Sequence, residues 1–201
     1  SSRRRHTRYW RDWSSDVCSS DLHFVDVDGN NYIDLCLGDT GSMTGHSPAA
    51  TVAAIKSQLG RGMTAMLPTE DALVVSSELS RRFGLPLWQF TVSATDANRH
   101  VIRYSRLITG KKKIIVIDRC YHGSVDETFA TLDASGGTVA REGNIGAPVP
   151  LDLTTRVVEF NDLEAMENAL KAGDIAAILM EPAMTNVGIV LPEDGYLRAV
   201  G

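Results

Sequence analysis

Three short clusters carry the residue types that chemistry needs. The first is Ser93-Ala94-Thr95-Asp96-Ala97-Asn98, small and hydroxylic residues ahead of an apolar-periodic stretch. A helix opening there exposes unpaired backbone N–H groups and a positive dipole end. Such a turn either caps its own helix through Ser93 or holds a phosphate. The second cluster is Tyr121-His122-Gly123. Its aromatic ring can stack on a planar ligand, its imidazole can carry a proton or simply hydrogen-bond, and its glycine admits close backbone approach. The third is Glu181-Pro182-Ala183-Met184-Thr185-Asn186. A partly buried Glu needs a partner, so this segment is either a ligand-pocket wall or a solvated turn.

These clusters need elements to hold them. Phe24–Val27 and Tyr32–Leu35 alternate around Asp28-Gly29-Asn30-Asn31, which predicts a hairpin. Gly38 to Gly45 reads as a glycine-rich loop. Ser47-Pro48 reads as N-cap and first position of a helix with Val52, Ile55 and Leu59 on one face, stopped by Gly60. Thr69 caps a helix through Ala72, Val75, Leu79 and Phe83, ended by Gly84. Leu87–Val92 reads as a strand. Ser93 and Asp96 have capping-box spacing for a helix through Ala97, Val101, Tyr104 and Ile108, with Gly110 as terminator.

Lys113–Asp118 reads as a fully buried strand. Asp133–Pro150 is rich in Gly and Pro and reads as a long functional loop. Arg156–Phe160 reads as a strand. Asn161 and Glu164 have the spacing of another capping box before a helix with Leu163, Met166 and Leu170, and Ile175–Met180 is a further apolar strand. Strands that are apolar throughout and alternate with helices predict an α/β fold, a mainly parallel sheet with helices on both faces, after the N-terminal hairpin. Ligands of such sheets sit at the carboxyl ends of strands, where all three clusters fall.

Composition narrows the class. Hydrophobic residues make up 43% and charged residues 22% of the 201, as in globular domains. No apolar run reaches the ~20 residues of a membrane span. A net charge of −5 argues against nucleic acid as a partner. Cys18, Cys36 and Cys120 are odd in number and widely spaced, which fits a reducing cytoplasm better than a disulfide framework or a zinc site. No P-loop, G-x-G-x-x-G or G-x-S-x-G occurs. His122, Asp126 and Glu127 match no zinc template, so no metal is expected. Residues 1–22 hold five Arg and two of the three Trp without periodicity. They resemble a translated sequencing adapter, a non-native, disordered tail.

Taken in order, Phe24–Asn30, Gly45-His46-Ser47-Pro48, Pro68-Thr69-Glu70, Ser93–Asn98, Arg103–Gly110, Tyr121-His122-Gly123, Phe160–Ala165 and Glu181–Leu197 resemble the class III aminotransferase family of pyridoxal-phosphate (PLP) fold type I, including its glutamate-1-semialdehyde aminomutase branch. The resemblance implies a hairpin and pocket loop over 23–47 and a partial PLP-binding large domain over 48–201. It implies PLP as cofactor, with Ser93, Ala94 and Thr95 at its phosphate. Tyr121 would lie on its ring with His122 beside it, and Glu181 and Asn186 near it. Asp39 and Thr40 would border the substrate. It further implies a homodimer, an amino acid or amine as donor, and a carbonyl compound as acceptor. The family's Schiff-base lysine and ring-nitrogen Asp have no counterpart here, so the resemblance implies a fragment inactive by itself. Ala94 stands where the family has Gly, which keeps the N–H but requires a negative φ.

Overall fold

The computed structural model describes residues 22–38, 41–63 and 66–201. The chain divides into two compact units, one up to Pro86 and one from Leu87.

In the first unit the hairpin pairs β1 (His23–Val25) with β2 (Asn31–Ile33), Phe24 opposite Tyr32. Their rings stack at 5.1 Å. The turn is organised by Asp26. Its carboxylate accepts the N–H of Asp28 at 3.0 Å and of Asn30 at 2.9 Å, and the Tyr32 hydroxyl at 2.9 Å. Hydrogen bonds, the Asn30 amide first, hold that carboxyl down to about 2. Because Asp26 draws the chain into its turn, the strands are shorter than the alternating pattern suggests, and Val27 and Leu35 are exposed. Helices α1 (Ala49–Leu59) and α2 (Glu70–Phe83) follow. Pro48 occupies the N-cap position of α1, one residue beyond the expected Ser47. Gly84 ends α2 in the left-handed region, as expected.

The second unit is built on a parallel sheet. Its central strand β3 (Lys113–Ile117) is flanked by β6 (Thr155–Val158) and β7 (Ile175–Leu179), and β4 (Ala130–Leu132) pairs antiparallel with β5 (Thr138–Ala140). The run Ile114–Ile117 has no exposed surface at all, which is why it is apolar without alternation. Helix α3 (Ala94–Thr109) packs on β7, α4 (Leu163–Leu170) on β6, and α5 (Tyr196–Val200) on α4. Arg156 links the sheet to the turn before β7 through two bonds to Asp174, at 2.9 and 3.0 Å.

Three expectations need correction. Leu87–Val92 joins no sheet. Leu87 is 87% and Val92 96% exposed, so the run lacks the neighbours that would make a strand. The stretch Asp133–Pro150 is not loop throughout, because Thr138–Ala140 pairs with β4. Asp118 holds that hairpin from outside, its carboxylate accepting the Thr131 hydroxyl at 2.6 Å and Leu132 N–H at 3.0 Å. Finally, Asp162 caps α4, taking Ala165 N–H at 2.8 Å. Asn161 is left-handed instead (φ 67°), and its amide ties Leu191 and Glu193.

Truncating the sheet centre is expected to be costly. Ile115→Ala should lose roughly 2–5 kcal/mol in denaturant unfolding, whereas Leu87→Ala should stay within about 0.5 kcal/mol.

Candidate functional site

The site forms where α3 begins and β3 and β7 end. Ser93 is extended (φ −160°), and its hydroxyl accepts Asp96 N–H at 3.2 Å, so it does cap the helix. That bond uses a hydroxyl lone pair and leaves the Ser93 proton free to be donated. Ala94 keeps a negative φ, the condition its methyl imposes. As the first residues of the helix, Ala94 and Thr95 present N–H groups with no intrahelical acceptor.

The segment after β3 lies directly against this turn. Arg119 is left-handed (φ 59°) and turns the chain out of the sheet. Gly123 is left-handed too (φ 78°), and a Cβ there would stand 2.2 Å from the Thr95 hydroxyl oxygen. The next N–H, of Ser124, donates to that hydroxyl at 3.0 Å. Asn98 donates its side-chain N–H to the His122 carbonyl at 3.0 Å. The serine–threonine turn and the aromatic triplet are therefore one surface.

Glu181, just past β7, reaches the same place. One carboxylate oxygen accepts Tyr121 N–H over 3.4 Å. The other accepts the Thr185 hydroxyl at 2.9 Å and the Thr185 N–H at 3.3 Å. Tyr121 is 55% exposed. Asn186 follows Thr185 in a small irregular bridge with Gly188, its side chain exposed and with no hydrogen bond among the described residues. Asp39 and Thr40 fall outside the described residues.

His122 is buried, 9% exposed, and its Nε2 has no hydrogen-bond partner among the described residues. Burial lowers its pKa from the ordinary 6.5. Glu181 and a backbone contact to Leu179 pull the other way, and Arg141 adds to the lowering. Arg141 also grips the loop, donating to the Cys120 carbonyl at 2.8 Å. Cys120 is buried, and its thiol is pushed up to about 11, chiefly by desolvation, so it stays protonated at neutral pH.

Sequence reasoning singled out Ser93, Ala94, Thr95, Tyr121, His122 and Glu181, and these lie within one strand-end region. It missed Ser124, Arg141 and the part played by Asn98. Asn98 stood inside the first motif, but nothing local marked it as the partner of a carbonyl 24 residues away.

A parallel sheet with helices packed against it, in this α/β order, is the fold of part of the type I PLP-dependent transferases. The class-III aminotransferase model matches residues 19–201, and the chain belongs to that family. The glutamate-1-semialdehyde 2,1-aminomutase of Methanocaldococcus jannaschii is 36% identical over 183 residues, 90% of this chain and 43% of that protein. A crystal structure of a glutamate-1-semialdehyde-aminomutase from Pseudomonas aeruginosa PAO1 is 48% identical. It superposes with a TM-score of 0.87, covering 98% of this chain and 46% of that one. A variant of that protein in complex with PMP superposes as well. An omega-transaminase from Sphaerobacter thermophilus is 28% identical with a TM-score of 0.79, covering 89% and 43%. The chain thus spans less than half the length of these relatives.

The burial of His122 has a consequence for pH. Its lowered pKa means the unfolded chain binds the proton more readily. The stability it contributes is complete above pH 6.5 and is lost as pH falls through the folded-state value. Thermal melts between pH 7 and 5 should show a steeper loss in the parent chain than in His122→Gln, and the His122 ring should titrate below 6.5 by NMR.

Proposed function

We propose that this chain supplies the phosphate and ring walls of a PLP pocket in an enzyme that moves an amino group from an amino acid or amine to a carbonyl acceptor. The observation that carries the reading is the direct packing of Thr95 against Gly123, which puts an anion-ready helix end beside an exposed aromatic ring.

The residues fit the cofactor. The N–H groups of Ala94 and Thr95 and the hydroxyls of Ser93 and Thr95 would hold its phosphate, favoured by the helix dipole. Thr95 accepts from Ser124 and so keeps its own proton to donate. Tyr121 would cover the ring, worth roughly 0.5–1.5 kcal/mol beyond area burial for an aromatic pair. Glu181 holds the Tyr121 N–H and with it the start of that loop. Neutral His122 adds no charge under the ring and offers Nε2 as an unused polar atom. Asn186 would meet the cofactor's polar edge, and Asp39 and Thr40 would line the substrate side. When bound, PLP supplies the electron sink that the chemistry requires.

We further propose that the chain does not turn over alone. In the unit from Leu87, every lysine lies away from the site. Lys111, Lys112 and Lys113 stand at the amino end of β3, Lys113 facing Asp174 at 3.6 Å. Lys171 ends α4, before the amino end of β7. No amine of this unit can therefore reach a ligand at the carboxyl ends. The working protein is a homodimer in this reading. Among the described residues no helix is long and apolar enough to cross a membrane.

A second reading, a 2,1-aminomutase, is favoured by the likeness to proteins of that name. Product analysis of the working dimer would separate the two, because an aminomutase needs no second acceptor.

The test is PLP titration monitored by quenching of protein fluorescence. The parent chain should bind, and Tyr121→Ala should weaken binding by about tenfold, as expected for a lost stacking contact. Equal binding by both chains, or by neither, would remove the reading.

A further inference from the structure

Three successive residues of the loop after β3 are each held by one face of α3. His122 offers its carbonyl to the Asn98 side chain at 3.0 Å. Gly123 sits so close that a Cβ would come within 3.1 Å of the Thr95 Cα as well as striking its hydroxyl. Ser124 donates its N–H to the Thr95 hydroxyl at 3.0 Å. Thr95 and Asn98 are three apart in the helix and so lie on the same side of it. Asn98 is partly buried, while the residues between it and Thr95 make no bond to the loop.

We propose that Asn98 is a positioning residue: its amide fixes the His122 carbonyl, and so sets Tyr121 at a defined offset from the first turn of α3. The ligand it serves is a planar heterocycle carrying a phosphate, and this identity rests on the functional reading above. The amide is the only group in this contact that donates from the helix to the loop backbone. Thr95 faces the other way, accepting from Ser124, and that leaves its hydroxyl proton for an anion. Without Asn98, the Thr95–Ser124 bond would be the hydrogen bond left between α3 and the loop, with Glu181 and Arg141 holding it from other elements. The helix end would still attract an anion, since its N–H groups belong to Ala94 and Thr95. What would be lost is the fixed relation between the anion and the ring, and with it the advantage of binding both ends of one molecule.

The experiment uses the full chain and two variants. Asn98→Ala removes the donor. Asn98→Asp keeps the shape, removes the donor and places a negative charge near the positive end of α3, where it does not weaken the helix. The first readout needs no cofactor. Amide hydrogen exchange at Ser124 and Tyr121 should quicken by about tenfold in both variants, the size of one lost hydrogen bond, with Ile115 unchanged. The second readout compares inorganic phosphate with PLP as probes. Asn98→Ala should bind phosphate within about twofold of the parent but PLP about tenfold more weakly. Unchanged exchange at Ser124 would overturn the inference, as would equal loss of both probes or of neither. If the parent chain binds neither probe, the PLP reading fails, and the exchange result still decides whether Asn98 holds the loop.

Discussion

The absence of a side chain at residue 123 permits everything else at this site. The turn after β3 lies on Thr95 at a distance no Cβ can share, and it does so with a left-handed backbone that glycine adopts without strain. Close approach then brings Ser124 N–H onto the Thr95 hydroxyl and the His122 carbonyl onto Asn98. A helix N-terminus alone attracts anions, and an exposed tyrosine alone stacks on many rings. Joined through this contact they would, in the proposed reading, favour a molecule with a phosphate at one end and an aromatic ring at the other.

The rest of the unit from Leu87 keeps that contact in place. The fully buried strand β3 fixes where the loop begins, and Arg119 turns it out of the sheet. Asp118 ties the strand end to β4, and Arg141 ties Cys120 to the far side of the same hairpin. From β7, Glu181 reaches across to Tyr121 N–H. Charges are sorted along the sheet. The lysines and the Arg156–Asp174 pair stand toward the amino ends, while the α3 dipole, Glu181, the Asp118–Arg119 pair and a neutral imidazole stand toward the carboxyl ends. In the proposed reading an anion would be held by backbone donors and hydroxyls, not by a lysine that would need desolvation.

Much of this was legible in residue order. Gly84 and Gly110 end their helices as left-handed caps, because a glycine after a periodic run has few other uses. Ile114–Ile117 and Ile175–Leu179 read as buried strands because apolar runs without alternation fit only a covered sheet. Leu87–Val92 carried the same signal and failed, since a strand needs a neighbour and propensity cannot supply one. Thr138–Ala140 was hidden within a Gly- and Pro-rich stretch because its pairing depends on Asp118, far earlier in the chain. Asn161 and Asp162 are both competent caps, and the choice is made by Leu191 and Glu193, which claim the Asn side chain. The site divides the same way. Ser93 and Thr95 are visible as types at a helix start and Tyr121 just past a strand end, while Asn98 and Ser124 gain meaning only from partners more than twenty residues away.

The close contact at residue 123 can be separated from mere backbone strain. Gly136 is also left-handed (φ 80°), but a Cβ there meets nothing within 4 Å. PLP affinity of Gly123→Ala and Gly136→Ala, measured side by side with the parent chain, tests the account most directly. Gly136→Ala should bind as the parent does, and Gly123→Ala should lose about tenfold or more, as expected when the Thr95 contacts part. Equal affinity for all three would contradict the claim that the site is assembled by that contact.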